Sequence, residues 1–128
     1  MKKILLTLVL LFQTVVAQDL NILFDSNSYE IKQSEIVKLD KYVDYLFTNP
    51  ELSVILEGHA DSIDTYKYNL DLSIKRAQAV KKYFVDQGIL NIRVKTTGFG
   101  ETKPKVSNML KDGRETNRRV SASIVEQQ

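Results

Sequence analysis

The spacing of apolar and polar positions divides the chain into short segments of different period. Residues 1–17 open on Met1-Lys2-Lys3, run through nine positions from Ile4 to Phe12 that are apolar except for Thr7, and leave through Gln13-Thr14-Val15-Val16-Ala17. A basic start, an apolar middle and a small-residue exit are the three parts of a secretory signal peptide, with cleavage expected after Ala17. The apolar run is well short of the ~20 residues that a membrane-spanning helix needs. Beyond it, Leu20–Phe24 alternates as a strand does, and Asp25-Ser26-Asn27-Ser28 supplies turn formers. From Gln33 to Thr48, Ile36, Leu39, Val43, Leu46 and Phe47 recur at helical spacing until Asn49-Pro50 stops the pattern. Leu52–Glu57 is a short apolar run closed by Gly58, the pattern of a buried strand.

A second helix is predicted from about Thr65 to Gln87, with Leu72, Ala79, Val80, Tyr83 and Phe84 among its apolar positions and Gly88 as its left-handed cap. In Ile92–Thr97 the alternation sets Ile92, Val94 and Thr96 against Arg93, Lys95 and Thr97, which predicts a strand ended by Gly98-Phe99-Gly100. A polar loop carrying Pro104 follows, and Val120, Ala122 and Ile124 alternate with Ser121, Ser123 and Val125 in a last strand. The order strand, helix, strand, helix, strand, loop, strand predicts one α/β domain over residues 18–128, of βαβαββ type. It would be a two-layer sandwich: a mixed four-stranded sheet with helices on one face.

Composition narrows the function classes. The 128 residues hold no Cys and a single His, His59, which excludes a disulfide framework, a thiolate metal site, a cysteine nucleophile and a histidine-rich metal centre. The formal charge is +2. Without Lys2 and Lys3 the rest of the chain has 16 basic and 16 acidic residues, so the apparent basicity belongs to the signal segment and no electrostatic footprint for nucleic acid remains. The neutral domain is dipolar: residues 18–87 carry 8 basic and 12 acidic groups, residues 88–128 carry 8 and 4. Once cleaved, the chain would have no membrane anchor of its own, and it needs no cofactor.

The unusual residues concentrate between Glu57 and Arg76. Asn69, Leu72 and Arg76 lie three and seven positions apart and share one helical stripe. Asp61 follows the preceding strand, where the crevice of such a fold opens. Three readings stay open on the residues alone. Asp61 and Arg76 form a salt bridge worth ~0–1 kcal/mol. His59 and Asp61 are an acid–base pair. Or the Asp and Arg read a zwitterion, the guanidinium holding a carboxylate and Asp61 accepting from an ammonium.

Gly58-His59-x-Asp61, followed by Tyr68-Asn69-x-x-Leu72-Ser73-x-x-Arg76-Ala77-x-x-Val80, closely resembles the signature of OmpA-like C-terminal domains. That family includes the peptidoglycan-associated lipoprotein and the periplasmic domain of the flagellar stator protein MotB. Phe24-Asp25-x-x-Ser28, Gly98-Phe99-Gly100-Glu101-x-x-Pro104 and Asn117-Arg118-Arg119-Val120 extend the resemblance over about residues 20–126. The resemblance implies non-covalent binding of peptidoglycan through the diaminopimelate of its stem peptide, with no catalysis. It implies that Asp61 and Arg76 grip the zwitterionic head, that Asn69 and Leu72 line the pocket, that Arg119 helps form its rim, and that Asn27 of the first loop belongs to the binding residues. His59 is read as a hydrogen-bonded strand residue, Tyr68 as core, Gly98 and Gly100 as turn residues, and Arg118 or Arg119 as an anchor for the last strand. Two positions depart from the family pattern. Ala60 replaces the usual Thr and Asp64 the usual Gly, a place for left-handed backbone that Asp tolerates. They leave a second reading, a periplasmic protein-interaction module whose pocket has drifted, and any further contact would come from an envelope protein or a second copy of the chain.

Overall fold

The computed structural model describes residues 18–126; the signal segment expected at 1–17 lies outside the described residues. The elements are β1 (Asn21–Leu23), α1 (Ile36–Thr48), β2 (Leu52–Gly58), α2 (Tyr66–Asp86), β3 (Val94–Gly98), α3 (Lys111–Asn117) and β4 (Arg119–Glu126). Their order matches the expectation, with α3 added inside the stretch read as a polar loop. The sheet runs β1-β4-β2-β3. β2 and β3 are parallel, joined by α2, and β4 inserts antiparallel between β1 and β2. This is the mixed four-stranded sheet expected.

The alternation in β2 turns Leu52, Val54 and Leu56 inward, where they meet Ile22, Val94 and Val120 from the other strands. Leu39, Tyr42, Val43 and Leu46 of α1 and Ala77, Val80 and Phe84 of α2 close the same core, so both long helices cover one sheet face. Complete burial of such side chains stabilises by about 1.5–3 kcal/mol each. The opposite face carries Glu57, Ser121 and Ser123. Gly88 ends α2 at φ +106, the left-handed conformation expected of it. Among the described residues no helix is long and apolar enough to cross a membrane.

The edge strand β1 is blunted by side chains. Glu35, buried in the 3-10 turn before α1, accepts from the Leu23 N–H at 3.3 Å and pairs with Lys38 at 2.7 Å, while Lys38 donates to the Asn21 carbonyl. One outward backbone group of Asn21 and one of Leu23 are therefore occupied, which blunts the edge as a template for another strand.

One strand boundary differs from the periodicity. Ile92 sits in a 3-10 turn and is 77% exposed, whereas Arg93, assigned to the polar side, is buried. Its guanidinium donates to the carbonyls of Leu46, Asn49 and Leu52 at 2.8–2.9 Å. The unpaired carbonyls at the end of α1 and the start of β2 need donors, and that demand outranks the apolar pull on Ile92. Phe47, counted with the apolar stripe of α1, is half exposed against Gly88.

Candidate functional site

The site is set by how closely α2 approaches the sheet. Gly58 and Gly98 are direct neighbours in the β2–β3 register, and α2 crosses them at Ser73 and Ile74. A methyl group on Gly58 would stand 1.8 Å from the Ser73 carbonyl oxygen, and one on Gly98 would stand 2.5 Å from the Ile74 side chain. The Ser73 hydroxyl donates to the Leu70 carbonyl and accepts from the Gly100 N–H, and the Asn69 amide donates to the Glu101 carboxylate at 3.2 Å. The turn after β3 is thus clamped to the first turns of α2. The Thr65 hydroxyl caps the helix by accepting from the Tyr68 N–H. Together these contacts hold Asn69, Leu72 and Arg76 over the exits of β2 and β3.

Asp61 lies at the β2 exit and is nearly buried. Its Oδ1 accepts from the Ile63 N–H at 3.0 Å, and its Oδ2 pairs with Arg118 Nη1 at 3.1 Å. The salt-bridge partner is therefore Arg118 and not Arg76. Arg76 is 0% exposed and donates from Nε to the Ser28 carbonyl, from Nη1 to that of His59 and from Nη2 to that of Asp25, at 2.8–3.0 Å. It binds the first loop, the β2 exit and α2 together, with its guanidinium over the Phe24 ring. Burial, then the neighbouring Arg118 charge, pushes the Arg76 guanidinium down to about 10, against the opposing pull of Asp61. Asp61, Arg76 and Arg118 thus form one electrostatic unit.

Asn69 and Leu72 are buried beside this unit. Asn27 adopts a left-handed backbone, φ +56, and its amide oxygen accepts from the Tyr68 hydroxyl at 3.4 Å. The first loop is thereby latched to the start of α2. Tyr68, read as core, is instead 39% exposed and forms that latch. Asp64 is left-handed at φ +83, as its place in the motif implies, and its carboxylate accepts from the Thr65 N–H. Ala60 is buried with its N–H on the Gly100 carbonyl, so the hydroxyl that it lacks does not leave a gap in an exposed rim.

Residues 23–118 match the sequence model of the OmpA family. The chain belongs to the OmpA family. It is 35% identical over 111 residues to outer membrane porin F of Pseudomonas aeruginosa, covering 86% of this chain and 32% of that protein. It is also 36% identical over 83 residues to a peptidoglycan-associated lipoprotein of Rhizobium meliloti, covering 65% of this chain and 47% of that one. The chain therefore spans about a third to a half of these relatives. Among solved structures, the peptidoglycan-associated lipoprotein of Burkholderia pseudomallei superposes at TM-score 0.79 with 26% identity, covering 82% of this chain and 89% of that one. The C-terminal domain of Helicobacter pylori MotB has the same fold, with TM-score 0.77, 20% identity, and coverage of 82% and 83%.

In this OmpA-family domain the Asn-Arg-Arg motif does three separate jobs. The Asn117 amide accepts from the Lys105 and Val106 N–H groups and donates to the Val106 carbonyl and the Asn108 side chain, stapling the loop before α3. Arg118 reaches Asp61 and, through Nε, the Phe24 carbonyl. Arg119, the next residue of the strand, points to the opposite sheet face and is not brought to Asp61; its contacts are the carbonyls of Asn117 and Lys103. The sequence offers Arg118 or Arg119 as an anchor, and it is Arg118 whose bond to the Phe24 carbonyl ties the start of the last strand to the first. Sequence reasoning missed the pairing with Asp61, although the adjacent arginines carried a usable signal, because consecutive residues of an extended segment face opposite sides.

His59 belongs to Arg119's side. Its ring stacks on Phe99, with the Ser121 hydroxyl 3.5 Å from Nε2, and shares no contact with Asp61, so the acid–base pairing is not formed. Burial, then the Arg119 and Lys103 charges, lowers the His59 imidazole to about 4. The folded state therefore resists protonating His59. Its contribution to stability is complete above about pH 6.5 and is lost as pH falls from there through 4. A proton NMR titration of this single histidine should show no inflection between pH 5 and 8, and urea midpoints should decline across that acid window. An inflection near 6.5 in the folded protein would contradict this placement. Among the described residues no cluster of His, Cys, Asp and Glu could hold a metal ion.

Proposed function

We propose that the protein binds peptidoglycan non-covalently, by seating the zwitterionic head of the stem-peptide diaminopimelate at the Asp61 cleft. Asp61 accepts from the ammonium. The carboxylate goes to Arg118 at the edge of the cleft, while Arg76, saturated by three carbonyls in the unliganded protein, supports it with positive potential and holds the first loop in place. Asn69 and Leu72 form the wall, and Asn27, latched by Tyr68, borders the entrance. The observation that carries the reading is a nearly buried carboxylate at the strand exit, held by an N–H from its own loop, paired with the Arg118 guanidinium and within reach of the Arg76 charge. A paired anion and cation at one mouth match a zwitterion better than a polyanion or an apolar ligand. On this reading the protein tethers reversibly to the cell wall in the bacterial envelope and catalyses nothing, and its second contact is an envelope protein or another copy of itself.

Co-sedimentation with purified sacculi tests the reading. The wild type is expected in the pellet, and Asp61→Ala and Arg118→Ala are expected to bind about tenfold or more weakly, the loss of one charge-assisted contact, with unchanged circular dichroism. A wild type that stays in the supernatant would favour the drifted interaction module. Equal sedimentation of Asp61→Ala would move the site elsewhere.

A further inference from the structure

Arg119 is nine-tenths buried, yet among the described residues its guanidinium makes only two long contacts, at 3.3 and 3.5 Å, both to carbonyls. Among the described residues no carboxylate pairs with it. Glu57, whose charge acts on it, is engaged by the Ser123 hydroxyl. A buried cation this weakly satisfied is costly unless something else completes it. Arg119 borders a cavity of about 350 Å³ on the open face of the sheet, together with Lys105, Ser121, Asn21 and Asp19. The wall of this cavity holds both kinds of partner. Arg119, Lys105 and the Ser121 hydroxyl donate; the Asp19 carboxylate accepts, and the Asn21 amide oxygen is buried without a hydrogen-bond partner.

We propose that this cavity is a second binding site, for a small zwitterion of the α-amino acid class, whose carboxylate meets Arg119, Lys105 and Ser121 and whose ammonium meets Asp19. The low proton affinity of His59 next to it fits a site that keeps its positive charge on Arg119 and Lys105. The site stands apart from the Asp61 cleft: Arg118 and Arg119, consecutive residues, serve opposite faces of the sheet. It does not depend on what the Asp61 cleft binds.

The test is an amide NMR titration at neutral pH and low salt with glycine, and separately with acetate and with methylammonium. Glycine is expected to shift Asn21, Lys105 and Ser121 saturably, with acetate or methylammonium alone about tenfold weaker, because each satisfies only one half of the site. The shifts should persist in Asp61→Ala, which removes the other cleft, and disappear in Arg119→Met. Lys105 is exposed, so Lys105→Met keeps the fold and should weaken glycine several-fold even if Arg119→Met does not fold. The absence of saturable shifts on this face, acetate binding as tightly as glycine, or an undiminished response in Lys105→Met would each overturn the proposal.

Discussion

Gly58→Ala is expected to cost about 4 kcal/mol or more, or to prevent folding. The added carbon would lie 1.8 Å from the Ser73 carbonyl oxygen, inside the backbone of α2, so no side-chain rotation relieves the clash. The helix would have to lift from the sheet, giving up the contacts of Ala77, Val80 and Phe84 with the core. With total stabilities of about 5–15 kcal/mol, a loss of this size leaves little folded protein. Gly88→Ala is the contrasting case. It meets only the Phe47 ring, and its cost is the left-handed backbone, about 1 kcal/mol. Urea unfolding of the two variants should separate them by several kcal/mol, and similar midpoints would refute the packing explanation.

Arg76→Met is expected to lower stability by about 3–5 kcal/mol and to abolish sacculus binding as well. It removes the donors of three carbonyls, the buried one of His59 and the partly buried ones of Asp25 and Ser28. It also removes the positive charge behind Asp61. Arg76→Lys keeps the charge but cannot serve three carbonyls arranged around a planar fork, so it should recover only part of the loss. Thermal denaturation reads the first effect and sedimentation the second. Arg76→Met with an unchanged midpoint would show that the carbonyl bonds contribute little, contrary to their geometry. Because Arg76 acts on both fold and site, its variants cannot by themselves prove ligand contact. Asp61 and Arg118, at the edge of the cleft, can.

The parts of the fold that follow from periodicity were legible in the sequence. The inward stripe of Leu52, Val54 and Leu56 and the apolar face of α2 needed only the strand and helix repeats. The Asp61 and Arg76 motif and the left-handed Asp64 were legible from the family pattern. What escaped were positions where a polar group answers a distant backbone demand. Arg93 looks like the wet side of a strand until the carbonyls of Leu46, Asn49 and Leu52 surround it. Gly58 and Gly98 look like strand ends and turns, because their reason is a helix that packs on them from elsewhere in the chain. Arg118 and Arg119 could be told apart only once the register of β4 set which of them faced Asp61. Tyr68 was misread because its spacing fits a core stripe, while its hydroxyl is used on Asn27.

The most direct test of the zwitterion reading is a titration with two stem tetrapeptides that differ in one group. One carries meso-diaminopimelate; the other carries lysine, which keeps the side-chain ammonium and lacks the neighbouring carboxylate. By isothermal titration and amide shift mapping, the diaminopimelate peptide should bind at least about tenfold more tightly, the loss expected for one charge-assisted pair. Its shifts should centre on Asp61, Ile63, Asn69 and Arg118 and vanish in Asp61→Ala. Equal affinity for the two peptides, or shifts that leave the Asp61 loop untouched, would contradict it.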